Sequence, residues 1–145
     1  MPSLYPEHVP PHYSHPRAAN FEIVEHEAMG RVIRAKVPFK KGALLARFDG
    51  LTVGYATQHS LQKSPNLHLV DSYFAGYLAH SCDPNVQVDM EHQYVHALKA
   101  ITAGAILTMD YEATEDELFQ QFQCRCGSPQ CRGLIRGRSV RQGAA

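Results

Sequence analysis

The chain has 145 residues, the length of one domain with one hydrophobic core. Lys and Arg together number 14, as do Asp and Glu. The chain therefore lacks the net positive charge that drives sequence-independent binding to nucleic acid. No apolar run reaches the roughly 18 residues that span a bilayer, and the start of the chain is rich in Pro and His where a signal peptide would be apolar. We therefore expect a cytoplasmic protein, or a nuclear one in a eukaryote, with no membrane partner and no nucleic-acid partner.

Residues 1–17 interleave prolines with His8, His12 and His15. Proline favours extended backbone, and a stretch of this composition has few apolar side chains to pack. We expect a flexible arm. The three histidines have no fixed geometry in such an arm, so a metal site there has little support.

From residue 21 onward the apolar residues come in short clusters rich in β-branched side chains. The clusters lie at 21–23, 32–33, 44–45, 67–70, 86–88, 94–95 and 106–107. Gly and Pro separate them, which predicts strands joined by tight turns. Two helices are also predicted, a short one at 55–62 and one that Thr114 caps, with Glu117 reaching back to the cap. The sequence thus indicates a mostly β domain.

The four cysteines are unevenly placed. Cys124, Cys126 and Cys131 fall within eight residues, whereas Cys82 stands far upstream. Three thiolates in one loop and a fourth from elsewhere match the tetrahedral coordination of one structural Zn²⁺ ion. The alternatives are a reduced thiol cluster or a disulfide, although a bridge between Cys124 and Cys126 would be strained. His80 is an alternative fourth ligand, because it projects on the same side of an extended segment as Cys82.

Three segments together carry a family resemblance. They read His-Ser-Cys-Asp-Pro-Asn at 80–85, Leu-Thr-Met-Asp-Tyr at 107–111 and Cys-x-Cys-Gly-Ser-Pro-Gln-Cys-Arg-Gly-Leu-Ile at 124–135. In this order they resemble the two central motifs of the SET domain and the post-SET zinc loop, and the resemblance covers about residues 20–136. The chain also lacks the Gly-rich turn that a doubly wound nucleotide fold uses.

The resemblance implies a SET-like fold of small sheets with a pseudoknot, where the two central motifs cross, and a C-terminal zinc loop. It divides the chain into a SET-like catalytic domain at 18–122, a zinc loop at 123–137 and a flexible tail at 138–145. In similar proteins the post-SET cysteines share their zinc ion with the cysteine of the His-Ser-Cys motif.

The resemblance also implies an S-adenosylmethionine-dependent lysine N-methyltransferase acting on a protein or peptide. A neutral amine attacks the methyl group in line with the departing sulfur, so catalysis is chiefly positional and electrostatic. Tyr111 matches the catalytic tyrosine of the family. The positions that match cofactor contacts are Met29, Gly30, Ala79, His80 and Leu134.

Two positions match residues that line the lysine channel of SET enzymes. They are Phe48 and Met109, and neither carries the hydroxyl group that restrains the amine in enzymes that add one methyl group. Methionine is also flexible enough to yield as the amine grows. We therefore expect a di- or trimethylated product.

Several positions depart from the family pattern. Ala28-Met29-Gly30 replaces Gly-aromatic-Gly, Ala79 replaces an asparagine that contacts the cofactor, and Gly76 replaces an arginine. The segment between Gly50 and Asp71 is short. These departures leave other functions open, namely a SET-like binding module with little catalysis, a small-molecule amine methyltransferase and, last, a zinc-ribbon nucleic-acid binder. So small a unit is also compatible with a homodimer.

Overall fold

The fold is given by a computed structural model that describes residues 2–143. The strands are β1 Phe21–His26, β2 Gly30–Ala35, β3 Leu44–Arg47, β4 Leu51–Val53, β5 Ser60–Ser64, β6 Leu67–Val70, β7 Ala79–His80, β8 Val86–Asp89, β9 Tyr94–Ala97, β10 Thr108–Met109, β11 Phe122–Gln123 and β12 Leu134–Ile135. Single 3₁₀ turns occupy Ala75–Tyr77 and Tyr111–Ala113, and helix α1 occupies Arg138–Gly143. The prediction of a mostly β fold is confirmed.

The strands form small sheets. β1 and β2 make an antiparallel hairpin, β9 lies between β3 and β8, and β6 lies between β4 and β5. Gly30 closes the turn of the first hairpin with a φ of 75°, a left-handed conformation that glycine adopts without steric penalty. On β2 the side chains of Val32, Ile33 and Ala35 are buried, so this hairpin covers one side of the core.

The core draws on every sheet. Its most deeply buried large side chains are Phe21, Ile33, Phe48, Phe74, Leu78, Val95, Leu107 and Ile135. Burying a side chain of this size stabilises the fold by roughly 1.5–3 kcal/mol. Ile135 belongs to the predicted zinc loop, so that loop contributes to the core.

The two central motifs meet in a parallel pair. β7 and β10 lie side by side, with Thr108 opposite Ala79 and Met109 opposite His80. The Asn85 side chain accepts from the Thr108 amide (2.8 Å) and donates to the Ile106 carbonyl (2.9 Å). This pair is the contact expected of the pseudoknot, and it places both motifs beside one cleft.

The expectation of a flexible arm is wrong for the described residues 2–17; residue 1 lies outside them. Tyr5 is buried, its hydroxyl donates to the Asp71 carboxylate (2.6 Å), and it accepts from the Asp49 amide (2.9 Å). Ser3 and Arg17 also form an isolated antiparallel β-bridge that joins the two ends of the segment. Prolines fix φ without preventing packing, and Tyr5 supplies the apolar ring and polar tip that anchor the segment.

Both predicted helices are also wrong. Ser60–Ser64 is a strand, and Thr114 follows the 3₁₀ turn at Tyr111–Ala113 instead of capping a helix. The Glu115 carboxylate accepts from the Thr114 hydroxyl (2.7 Å) and from the Gln62 amide (2.8 Å), and this contact with a distant segment holds Glu115 inward instead of on the outer face of a helix.

The predicted flexible tail begins with helix α1, while residues 144–145 lie outside the described residues. The amides of Arg138 and Ser139 donate to the carbonyls of Glu115 and Asp116 (2.9 and 3.0 Å), which attaches the helix to the domain. No helix within residues 2–143 is long and apolar enough to cross a membrane.

Candidate active site and metal centre

A cleft of about 610 Å³ lies between the first hairpin, the Ala75–Tyr77 turn and the segment that leads to β11. Its volume is in the range of small-molecule sites. Predicted site residues that line it are Met29, Gly30, Ala79, His80, Met109 and Tyr111. The fold therefore brings together residues from three separated stretches of the sequence.

Tyr111 is held in place at both ends. Its hydroxyl donates to the Leu78 carbonyl (2.6 Å), and its amide donates to Nδ1 of His80 (3.1 Å). Burial, with a smaller contribution from the charge of Glu115, raises the pKa of Tyr111 to about 12. The hydroxyl is therefore protonated at neutral pH and acts as a fixed hydrogen-bond donor.

His80 contributes an uncharged ring. Burial lowers the pKa of His80 to about 4, despite the opposing charge of Asp110. Because Nδ1 accepts from the Tyr111 amide, Nε2 carries the proton and lies 3.5 Å from Sγ of Cys82. With Nδ1 occupied and Nε2 protonated, the ring has no free lone pair for a metal, which argues against His80 as a metal ligand.

Two predicted site residues do not reach the cleft. Phe48 is fully buried in the core and does not line this cleft, so its place in the lysine channel stays a prediction without support from the cleft. Leu134 is 43% exposed on β12 opposite Gln123, outside the cleft wall. Its strand is paired with β11, and from β11 it is Phe122 that lines the cleft.

The sequence interpretation missed Phe122, Glu115 and His59, which also line the cleft. The Phe122 ring packs edge-on against His80 (centroids 5.5 Å apart) and Tyr111 (5.9 Å). An aromatic residue two positions before the first cysteine of the zinc loop was the available signal for Phe122. Glu115 and His59 lie in segments predicted as helices, which hid them.

Gly76 is required by packing. A Cβ atom there would lie 2.2 Å from the Asp71 carbonyl oxygen and 2.7 Å from that of His59. The position usually occupied by arginine in the family thus has no room for any side chain. Nδ1 of His59 donates to the Gly76 carbonyl (3.2 Å), so the backbone of two segments meets where the arginine would stand.

The four cysteines converge, as predicted. The Sγ atoms of Cys82, Cys124, Cys126 and Cys131 all lie within 4.8 Å of one another. Those of Cys82 and Cys124 are 3.9 Å apart, close to the edge of about 3.8 Å of a tetrahedron with Zn–S bonds of about 2.3 Å. The Arg132 amide also donates to Sγ of Cys82 (3.4 Å), as expected of a metal-bound thiolate. The donor set therefore fits one structural zinc ion.

The zinc loop and the following helix α1 are also attached through charges. Arg132 pairs with Asp110 (2.6 Å) and with Glu112 (2.8 Å), and Arg141 pairs with Glu112 (2.7 Å). The amides of Arg136 and Gly137 donate to the same Glu112 carboxylate (3.1 and 3.0 Å). Cys82 is therefore one of several connections between the loop and the domain.

Comparison with known proteins identifies the same region. Residues 30–112 match the family model described as the SET domain. The chain is 33% identical over 107 residues to the methyltransferase flvH of Aspergillus flavus, covering 72% of this chain and 60% of flvH. It is 26% identical over 134 residues to the histone-lysine N-methyltransferase ash1 of Drosophila melanogaster, covering 75% of this chain and 6% of ash1.

Solved structures share the fold. A crystal structure of KRYPTONITE in complex with mCHG DNA and SAH aligns with a TM-score of 0.64 at 21% identity, covering 79% of this chain and 28% of that one. The methyltransferase domain of human histone-lysine N-methyltransferase SETMAR aligns with a TM-score of 0.61 at 17% identity, covering 81% of this chain and 58% of that one. At these identities the likeness concerns the fold alone.

Proposed function

Because the chain belongs to the SET domain family, we propose that it is an S-adenosylmethionine-dependent lysine N-methyltransferase acting on a protein or peptide. The observation that carries the proposal is the position of Tyr111, whose hydroxyl is fixed on the Leu78 carbonyl at the wall of the cleft. Similarity to histone-lysine methyltransferases supports the choice of substrate.

The cleft fits the proposed cofactor. The backbone at Gly30 is open, with no atom within 4 Å of where a Cβ would stand, so a ligand can approach it closely. The Phe122 ring offers a flat apolar surface for a planar base, and His80 offers its backbone beside it. S-adenosylmethionine, when bound, supplies an electrophilic methyl group on a sulfonium ion.

Tyr111 would orient the substrate amine. The phenol oxygen has lone pairs that accept a hydrogen bond from an N–H group of the amine, while its own O–H group donates to the Leu78 carbonyl. A buried hydroxyl in a fixed position lowers the barrier because its dipole needs no reorganisation during the reaction. Tyr111 therefore acts by positioning and electrostatics, and its protonated state at neutral pH suits that role.

Met109 supports the proposal of a di- or trimethylated product. It is buried, lines the cleft and has no hydroxyl group to hold the amine. With Phe48 in the core, the argument depends on Met109 alone.

A small-molecule amine is a second candidate substrate. The segment between Gly50 and Asp71, where SET enzymes carry a longer insert, holds only short strands here, and from it residues 57–61 line the cleft. A methyl-transfer assay that compares lysine peptides with free lysine and simple alkylamines separates the two.

The test of the proposed function is methyl transfer from labelled S-adenosylmethionine by the parent protein and by Tyr111→Phe. We expect the variant to lose at least about tenfold in rate, equivalent to roughly 1.4 kcal/mol, with cofactor binding nearly unchanged. Tyr13→Phe is the matched control, because Tyr13 is 83% exposed. Equal turnover by Tyr111→Phe contradicts the catalytic role, and absence of cofactor binding to the parent supports a non-catalytic binding module.

A further inference from the structure

A buried carboxylate lies in the cleft. Glu115 is 8% exposed, and it is the one carboxylate among the cleft-lining residues of the described chain. Its Oε2 atom accepts from the Gln62 amide (2.8 Å) and from the Thr114 hydroxyl (2.7 Å). No hydrogen bond within residues 2–143 reaches Oε1, which remains available to a ligand.

Glu115 also has no cationic partner within residues 2–143. Glu112, three residues earlier and 5% exposed, pairs with both Arg132 (2.8 Å) and Arg141 (2.7 Å). A buried carboxylate without a counter-charge costs several kcal/mol, and such groups concentrate at functional sites. The position of Glu115 in the cleft therefore indicates a cationic ligand that completes the pair.

The surroundings of Glu115 narrow the chemistry of that ligand. Met109, Leu118 and Phe119 line the same cleft, and Phe119 is 59% exposed. Apolar walls can contact an alkyl chain, and the single carboxylate can pair with one positive charge at the end of that chain. This combination matches a primary alkylammonium group, such as the end of a lysine side chain.

We propose that Glu115 binds the ammonium group of the substrate and removes its proton before methyl transfer. This inference rests on the proposed function, because methyl transfer requires a neutral amine. One N–H bond breaks, its electron pair stays on nitrogen, and the proton joins a carboxylate oxygen of Glu115. In a buried site the exchange of two charges for two neutral groups is favoured, since burial disfavours both charged forms. Glu115 later releases the proton to solvent.

Other groups of the cleft are already engaged. The Tyr111 hydroxyl is protonated and donates to the Leu78 carbonyl. Nδ1 of His80 accepts from the Tyr111 amide, and Nδ1 of His59 donates to the Gly76 carbonyl. Arg31, the one arginine among the cleft-lining residues of the described chain, pairs with Glu25 (3.3 Å). Glu115 is therefore the cleft residue with an unused acceptor and no paired counter-charge.

The protonation behaviour of Glu115 fits this role. Burial raises the pKa of Glu115, and this effect outweighs the lowering by its two neutral donors and by Arg138. The charged groups that face it are Asp116 and Arg138, which pair with each other (2.7 Å), and the nearby Tyr111 is protonated. A proton therefore moves to Glu115 more easily than to an exposed glutamate.

Binding of n-butylammonium, an analogue of the lysine side chain, tests the proposal. The protein is saturated with S-adenosylhomocysteine, and the ¹³C-labelled methyl group of Met109 reports binding by NMR. We expect Glu115→Gln to weaken n-butylammonium binding by about tenfold or more, because a charged hydrogen bond is lost. Binding of neutral n-butanol should be unchanged. Glu117→Gln, at an exposed neighbouring carboxylate, is the matched control.

Equal n-butylammonium binding by the parent and Glu115→Gln overturns the proposal while leaving the proposed function intact. Failure of S-adenosylhomocysteine to bind the parent overturns the proposed function as well, so the two failures are distinguishable.

Measurements that do not depend on activity complete the test. Glu115→Gln should keep or raise the Tm, because it removes an uncompensated charge, whereas a merely structural carboxylate would give a lower Tm. In the parent, n-butylammonium binding should be lost on acidification above the usual glutamate pKa of about 4.3. Loss only at or below that value, or no pH dependence, contradicts the role of Glu115, and this measurement does not require the variant to fold.

Discussion

Glu112 and Glu115 lie on one short segment, but they face different regions. Glu112 faces the zinc loop, where two arginines and two backbone amides surround its carboxylate. Glu115 faces the cleft, where two neutral donors bind one of its oxygens. On the zinc-loop side the Glu112 carboxylate is paired with Arg132 and Arg141, which attaches the C-terminal segment to the domain. The cleft side has one charge unpaired, as a site for a cationic ligand requires.

The pKa values of the two residues shift in opposite directions. Burial alone would raise the pKa of Glu112, but hydrogen bonds from Arg141 and from the Arg136 and Gly137 amides lower it. Burial without a close cationic partner raises the pKa of Glu115. A pH titration of the two carboxylates therefore distinguishes Glu112, whose charged form stabilises the fold, from Glu115, whose charged form does not.

Removal of zinc should have the largest effect, because structural zinc sites contribute on the order of 10 kcal/mol. We expect about one zinc ion per chain, and chelation should increase hydrogen exchange in residues 123–135 while β8 and β9 stay protected. The ion pairs of Glu112 should keep part of the loop attached. Metal analysis that finds no zinc, in protein purified under reducing conditions without chelator, contradicts the assignment.

Glu112→Gln should have the next largest effect, a loss of about 2 kcal/mol or more, because it leaves Arg132 and Arg141 without their shared partner. Denaturant unfolding of this variant beside Glu115→Gln measures the contrast directly. Because the pKa of Glu112 is lowered in the folded state, its contribution is present above the usual glutamate pKa and is lost as pH falls through the lowered value. Equal stability of Glu112→Gln and Glu115→Gln would contradict the view that Glu112 stabilises the fold and Glu115 does not.

Ala79→Asn tests the proposed cofactor contact at Ala79. Ala79 lies on β7 at the cleft wall, where the family has an asparagine. One added hydrogen bond to a charged ligand group should tighten S-adenosylmethionine binding by about 1 kcal/mol. Calorimetric titration against the parent measures the change, and unchanged affinity would mean that another group already fills the role.

Met109→Tyr should have the smallest energetic effect but a clear change in product. A hydroxyl at this position restrains the amine and occupies space, so mass spectrometry at long reaction times should show fewer methyl groups per lysine than with the parent. Met90→Tyr, outside the cleft, is the control. Accumulation of monomethyl product alone in the parent would refute di- or trimethylation.

Local sequence signals predicted much of the fold and part of the site. Short β-branched clusters predicted strands because strand formation depends on alternating side chains over a few residues. The helix predicted from Thr114 failed because the Gln62 amide, 53 residues away in sequence, draws Glu115 inward. The sequence also did not show that Phe48 is fully buried and outside the cleft lining, since position in a motif does not decide which face of the core a side chain occupies.

The sequence by itself determined the order of the motifs, the four cysteines and Tyr111, because each depends on residue type and short spacing. Only the tertiary structure decided that the N-terminal segment packs through Tyr5, that Gly76 admits no side chain, and that Glu115 is buried without a cation. These outcomes depend on contacts between distant residues. The burial and charge pairing of a side chain depend on the residues that surround it in the folded chain. The spacing of residues along the sequence does not reveal which residues those are.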